Sequence, residues 1–155
     1  MLDSTNNARD GGLECVSFTV CGQVYCLNIM MIREIRRWAS VTTLPHAEAH
    51  VLGVINLRGS VIPVFDLAVH FGLGKTAPGP RNVVIIADVE GQSSGLLVES
   101  VSEILTVDKA DIQDPPKVGK GGHSSLIEGV ISVGDDMAQL IDLRHISQNK
   151  SDTAA

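Results

Sequence analysis

The chain has 155 residues, a formal net charge of -6 and a hydrophobic fraction of 44%. This length supports one ordinary domain, or two small ones that share a core. Nucleic acid is an improbable class of partner, because nucleic-acid binders use basic surfaces and stacked aromatics, whereas this chain is acidic and has 3% aromatic residues.

The N-terminal segment is polar and lacks the apolar centre of a signal peptide. No uncharged run approaches the ~20 apolar residues of a membrane span. We therefore expect a cytoplasmic protein without direct membrane insertion. Disordered tails are expected over 1–12 and 148–155.

The first predicted element is a β-hairpin. Period-2 alternation places the apolar residues of both strands on one face: Val16, Phe18 and Val20 with Tyr25, Leu27 and Ile29. A Gly22-Gln23 turn would place Thr19 opposite Cys26. The odd number of cysteines and the lack of paired metal-ligand spacing predict reduced thiols at Cys15, Cys21 and Cys26.

A third strand is predicted over 32–36. Ile32 and Ile35 in this strand can share a face only across a β-bulge. Trp38, the only tryptophan, follows directly. It is either an exposed anchor for a partner or a half-buried packing residue.

A short helix is predicted over 45–52, because Pro45 suits a helix start and Gly53 a helix stop. His46 and His50 would lie one turn apart on it and could chelate a metal. Without a third ligand nearby, no metal site is predicted.

A second hairpin follows. The β-branched runs 54–55 and 61–65 flank Arg58-Gly59, and glycine accepts the positive φ of a tight turn. Pro63 has no amide donor, which predicts an edge or bulge position. Asp66 is placed to cap a short helix after the hairpin.

The sequence is internally duplicated. Gly22 precedes Ile35 by 13 positions, as Gly91 precedes Ile104, and Gly53 precedes Asp66 by 13, as Gly129 precedes Asp142. The copies are offset by 69 residues in the first part and 76 in the second, so seven extra residues lie between Ile104 and Gly129. The glycine-rich stretch 114–122 is predicted to be this loop.

The duplication predicts two small all-β units. We expect subdomain 1 over 13–71 and subdomain 2 over 81–147, joined by the connector 72–81 and packed as one domain over 13–147. Short helices are predicted at the end of each copy, over 67–71 and 143–147.

Three segments together resemble the signature of the CheW-type coupling proteins of bacterial chemosensory arrays: 32–36 (IREIR), 56–59 (NLRG) and 61–67 (VIPVFDL). The resemblance covers roughly 13–146. It implies a mainly β fold of two SH3-like five-stranded barrels that share a core, with a few short helices, and no catalysis, cofactor or metal.

The resemblance also implies the function of an adaptor. Barrel edges would bind the CheW-like regulatory domain of a CheA-type histidine kinase, and a groove between the barrels would take the cytoplasmic tip of a chemoreceptor. The protein would then be recruited to receptor arrays.

Candidate partner-binding residues are Ile32, Glu34, Trp38, Gly53, Arg58, Gly95, Val101 and Ile104. Glu34 and Arg58 match an acidic and a basic family position, although they could form a purely structural ion pair. The β-branched candidates could simply be core residues. Gly95 could instead mark a turn or a close backbone approach.

The sequence offers no enzymatic motif. The stretch 119–125 lacks the spacing of a phosphate-binding loop, and no nucleophile elbow is present. The alternative is a small-ligand-binding or sensory β-barrel protein. A filled interior between the barrels would favour the adaptor, whereas a pocket of a few hundred Å³ with converging polar groups would favour the ligand binder.

Overall fold

The computed structural model describes residues 12–89, 91–115 and 127–144. The strands are β1 Gly12–Val20, β2 Gln23–Asn28, β3 Ile32–Arg37, β4 Val51–Leu57, β5 Ser60–Asp66, β6 Val83–Val89, β7 Gln92–Val98, β8 Ser100–Asp108, β9 Ile127–Val133 and β10 Asp136–Ile141. A one-turn helix, α1, covers Leu67–His70, and 3-10 turns cover Ile29–Met31 and Lys109–Asp111. No helix in these described ranges is long and apolar enough to cross a bilayer.

The strands form two five-stranded sheets, which we call barrel A and barrel B. Barrel A has the order β8-β1-β2-β10-β9, and barrel B has the order β3-β6-β7-β5-β4. Shifting every strand number by five converts one order into the other. The mainly β fold of two five-stranded units is therefore confirmed, and the duplication read from the sequence is a duplication of strands.

The two barrels do not coincide with the predicted halves 13–71 and 81–147. Each barrel combines the first two strands of one copy with the last three strands of the other. The exchange occurs at the third strand: β3 pairs with β6, with Ile35 opposite Ile85, and β8 pairs with β1, with Ile104 opposite Val16. These long-range pairings join the copies into one body.

Three apolar clusters fill this body. The shared core lies between the sheets and takes Phe18 and Leu27 from barrel A and Ile85 and Leu96 from barrel B. A second cluster, around the buried thiols Cys15 and Cys26, fills barrel A, and a third fills barrel B. Side chains thus occupy the space between the barrels that a ligand-binding protein would leave open.

The first hairpin has the predicted core face but a different register. Phe18 pairs with Tyr25 in the shared core, whereas Ser17, not Thr19, lies opposite Cys26. The two-residue turn is Cys21-Gly22, with φ of 51° and 80°. Such a turn matches the right-handed twist of the strands, which explains why it forms one position earlier than predicted.

The predicted helix over 45–52 is wrong. Pro45 and His46 form a turn and β4 already begins at Val51, so the helical spacing of His46 and His50 does not exist. Gly53 lies inside β4 with a φ of 156°, and a Cβ there would overlap the carbonyl oxygen of Thr42. Glycine is needed at this position because the backbone of Thr42 passes close by, and not because a helix ends here.

Other local predictions are confirmed. Arg58 and Gly59 form the turn between β4 and β5, with φ of 50° and 89°. A register shift marks the bulge between Ile32 and Glu34. Asp66 caps α1 by accepting a bond from the Ala68 amide at 3.1 Å.

The connector after α1 is held by the same aspartate. Asp66, which is fully buried, accepts bonds of 2.8 Å from both the amide and the hydroxyl of Thr76. Strand β1 begins at Gly12, inside the predicted tail. The rest of that tail, the stretch 116–122, residues 145–147 and the tail 148–155 lie outside the described residues.

Candidate functional site

The arginine turn contacts β3 of the same barrel. Arg58 Nη2 donates to Glu34 Oε2 at 2.6 Å, and Arg36 Nη1 lies 3.7 Å from Glu34 Oε1. The Asn56 side chain accepts the Gly59 amide at 3.0 Å and so stabilises the turn. The Arg58 side chain is 72% exposed and that of Glu34 is 28% exposed. An ion pair this open to water contributes little to the free energy of unfolding. Stabilising the fold therefore does not by itself explain why these two side chains are paired.

The pair borders a depression of about 290 Å³ at one mouth of barrel B. Glu34 lies opposite Ile86 in the β3–β6 register, so its side chain is on the barrel-interior face. Arg33 also borders the depression and binds Asp88 Oδ2 at 3.2 Å. The mouth of barrel B is thus ringed by charges over an apolar floor.

The remaining candidate partner-binding residues lie apart from Glu34 and Arg58 and from one another. Ile32 and Val101 are half-buried against the shared core, at the starts of β3 and β8. Trp38 is half-buried against the barrel B cluster. A Cβ at Gly95 would lie 3.0 Å from Val84 Cγ1, so this glycine permits close packing inside barrel B. The structure therefore brings together only Glu34 and Arg58.

Ile104 belongs to a set of exposed apolar residues that the duplication relates in pairs. Ile104 is 60% exposed and its counterpart Ile35, 69 positions earlier, is 44% exposed. Val61 is 68% exposed, and Met137, 76 positions later, is 54% exposed. The offset of 69 read from the sequence could have found Ile35 once Ile104 was chosen, whereas the sequence carried no signal for Val61 and Met137 beyond their relation to each other by the offset of 76.

The two equivalent surfaces differ in charge. The strand of Ile35 carries one glutamate, Glu34, and three arginines, at positions 33, 36 and 37. Around Ile104 the strand carries Glu103 and no cation, and the counterpart of Arg58 is Gly134. A basic and an acidic version of one surface are thus displayed by a chain that is acidic overall.

Two histidines and Phe65 pack together at the start of β4, with His50 stacked on Phe65 and tilted against His70. The His50 ring lies 5.6 Å from that of Phe65 and 4.8 Å from that of His70. Burial, and then the neighbouring His50, lower the pKa of His70. This shift favours the neutral imidazole, whereas only the charged form would complement the dipole of α1. Among the described residues, no three His, Cys, Asp or Glu side chains are placed to hold a metal ion.

The cysteines are free thiols. Burial raises the pKa of Cys15 to about 11 and that of Cys26 to about 12, so both remain protonated. Cys21 is exposed in the first turn. The buried thiols act as small apolar side chains in barrel A.

Comparison with known proteins gives a consistent result. The CheW-like domain family model matches residues 14–151. The chain is 40% identical over 155 residues to "Chemotaxis protein CheW" of Rhizobium meliloti (strain 1021), covering 100% of both chains. It is 38% identical to "Probable chemotaxis protein CheW" of Rhizobium etli, covering 99% of this chain and 100% of that one.

A solved structure has the same architecture. The crystal structure of the scaffolding protein TtCheW from Thermoanaerobacter tengcongensis superimposes with a TM-score of 0.80 at 33% sequence identity, covering 86% of each chain.

Proposed function

This chain belongs to the CheW-like family and is a chemotaxis coupling adaptor, and we propose that it holds a CheA-type kinase on its barrel edges and a chemoreceptor tip between its barrels. It acts in the cytoplasm, at receptor arrays, without catalysing a reaction. Signalling follows because the adaptor fixes the relative geometry of the two partners.

The observation that carries the proposal is the pairing of exposed apolar residues by the duplication. Single exposed apolar side chains are common on protein surfaces and need no explanation. A pair at equivalent positions of both barrels, Ile35 with Ile104, is not expected from chance exposure. We assign these edge residues to binding of the kinase regulatory domain, which the family resemblance describes as CheW-like.

We assign the receptor site to the junction of the barrels. Ile32 and Val101 begin the two exchanged strands and are half-buried against the shared core. Glu34 and Arg58 then shape the surface beside Ile32. The alternative of a small-ligand-binding barrel is disfavoured, because buried apolar side chains occupy the interior between the sheets.

Titration calorimetry tests the kinase assignment. The purified chain is titrated with the isolated regulatory domain of the cognate kinase, and separately with a receptor cytoplasmic fragment. We expect Ile35→Glu to weaken kinase-domain binding by about tenfold or more, since a buried charge replaces an apolar contact.

Leu44→Glu is the matched control, because Leu44 is also 44% exposed but lies between β3 and β4, outside the duplicated pairs. Its affinity should stay within about twofold of the parent protein. Absence of wild-type binding at tens of micromolar, or equal losses in both variants, would contradict the assignment.

A further inference from the structure

Neither sequence copy forms a complete sheet by itself. Within the described residues, the strands of one copy pair with each other only as hairpins: β1–β2 and β4–β5 in the first copy, β6–β7 and β9–β10 in the second. The other ladders, β1–β8, β2–β10, β3–β6 and β5–β7, join one copy to the other. In this part of the chain, β3 and β8 therefore pair with no strand of their own copy.

The shared core is divided between the copies in the same way. Phe18 and Leu27 come from the first copy, and Ile85 and Leu96 come from the second. A copy on its own would leave these side chains in water and its strand edges unpaired. A complete two-barrel body therefore needs one first copy and one second copy.

The connector between α1 and β6 is anchored at both of its ends. Towards the first copy, the amide and the hydroxyl of Thr76 donate to Asp66 at 2.8 Å. Towards the second copy, the Asn82 side chain donates to the Val98 carbonyl at 3.1 Å and accepts the Gly79 amide at 2.8 Å. Each anchored segment is thus fixed to the copy that it adjoins.

Ala77 and Pro78 form the hinge between these anchored segments. A depression of about 330 Å³ is bordered by Ala77 and by Cys21 of the first turn, so the hinge leaves space against the body. Proline fixes its own φ and disfavours the helical conformation of the residue before it, which favours an extended chain here. Short hinges of this kind favour exchange between chains.

We propose that two chains exchange their copies, so that the first copy of each chain pairs with the second copy of the other. The product is a dimer of two complete two-barrel bodies. It keeps every strand ladder and core contact of the single chain, and only the path of the hinge changes. Such exchange is a low-cost route to a dimer because it needs no new interface.

The exchanged dimer displays two sets of docking surfaces. Ile35 lies on β3 and Ile104 lies on β8, and each of these strands is paired by the other copy. Each body of the dimer therefore carries both residues, one from either chain. That one dimer holds two kinase domains rests on the proposed function, whereas the exchange itself does not.

The concentration of the chain decides which form is populated. Within one chain, a short link holds the second copy near the first at an effective concentration of about 1 mM. Exchange therefore competes when the chain is refolded at about 1 mM, but not at about 10 μM. The dimer then persists, because its reversal requires the ladders between the copies to separate.

A disulfide across the copies distinguishes exchange from surface association. The hydroxyls of Thr19 on β1 and Ser100 on β8 lie 2.8 Å apart, so Thr19→Cys with Ser100→Cys can form a disulfide. Cys21→Ser removes the exposed native thiol. After oxidation with diamide, exchanged chains run as covalent dimers in non-reducing denaturing electrophoresis, whereas single chains and surface-associated dimers run as monomers.

We expect about a third or more of the paired-cysteine chain as covalent dimer after refolding at about 1 mM, and less than about a twentieth at about 10 μM. The matched control carries Thr19→Cys and Cys21→Ser but keeps Ser100. It should give less than about a twentieth of covalent dimer at both concentrations.

A second test alters the hinge. Deletion of Ala77 and Pro78 joins the anchored segments directly, and a single chain can absorb this only by breaking the bonds of Thr76 or Asn82. We expect the deletion variant to be mainly dimeric by light scattering even after refolding at about 10 μM. Ala77→Gly with Pro78→Gly keeps the hinge length and should stay monomeric there.

The outcomes separate the exchange from the proposed function. The exchange is overturned if the paired-cysteine chain gives no more covalent dimer at about 1 mM than its single-cysteine control. A deletion variant that is folded and monomeric also overturns it. If covalent dimers form but neither they nor the parent chain bind the kinase domain in calorimetry, the adaptor function fails and the exchange stands. Binding of two kinase domains per dimer supports both.

Discussion

Reversing the charge of Arg58 separates its structural role from a role in coupling. The Glu34–Arg58 pair is short, at 2.6 Å, but Arg58 is 72% exposed. Exposed pairs contribute up to ~1 kcal/mol to the free energy of unfolding. We therefore expect Arg58→Glu to cost about 1 kcal/mol, and to lower the Tm by roughly 2–4 °C for a chain of this length.

The effect on coupling should be larger. If the guanidinium contacts a partner, Arg58→Glu places a like charge against the partner's acidic group. Receptor-dependent kinase autophosphorylation should then fall by about tenfold or more, equivalent to about 1.4 kcal/mol. Lys75→Glu is the control, because it reverses an exposed charge of the connector.

A charge-swapped variant, Glu34→Arg with Arg58→Glu, sharpens the test. The swap restores an ion pair between positions 34 and 58, but the new arginine faces Arg36, which lies 3.7 Å from Glu34 in the parent, so the Tm should recover only part of the loss. Coupling should remain low, because the charges presented to the partner are still reversed. Recovery of both the Tm and the kinase activity in the swapped variant would refute the reasoning and assign the pair a structural role only.

Three further predictions concern the fold. Gly53→Ala should destabilise the protein by more than about 2 kcal/mol in urea denaturation, because a Cβ would overlap the Thr42 carbonyl, whereas Gly79→Ala, where the nearest atom is 4.0 Å away, should stay within about 0.5 kcal/mol. Burial lowers the pKa of His70, so its neutral imidazole stabilises the fold at pH values above the ordinary histidine pKa of about 6.5, and this contribution should be lost as the pH falls below 6.5. A His70→Phe variant that loses stability just as steeply in acid would contradict this. At pH 8, Cys21 should react rapidly with a disulfide reagent and the two thiols inside barrel A only on unfolding; three equally fast thiols would exclude the described packing.

Local signals in the sequence predicted the elements that depend on neighbouring residues. The Arg58-Gly59 turn and the Asp66 cap follow from the conformational preferences of the residues themselves. The predicted helix over 45–52 failed for the opposite reason. Gly53 is a glycine because the chain passes Thr42 closely, and that contact involves a residue outside the local window.

In the candidate site, too, some residues could be identified from the sequence and others only from the structure. Glu34 and Arg58 were identified through the family resemblance, and their side chains do meet. Trp38, which could have been exposed, is half-buried in barrel B. The sequence marks Ile35 as part of the repeat and of the β-bulge but not as a surface residue, because strand periodicity cannot distinguish the core face from an exposed margin at an edge strand.

The sequence by itself determined that the chain is duplicated, built mainly from strands, and similar to the CheW-like family, because these properties lie in spacing and composition. Tertiary structure alone decided that each barrel takes its first two strands from one copy and its last three from the other, since pairings such as Ile104 with Val16 join residues far apart in the chain. It also decided that Trp38 is half-buried against the interior of barrel B, because that packing involves side chains distant from it in the sequence.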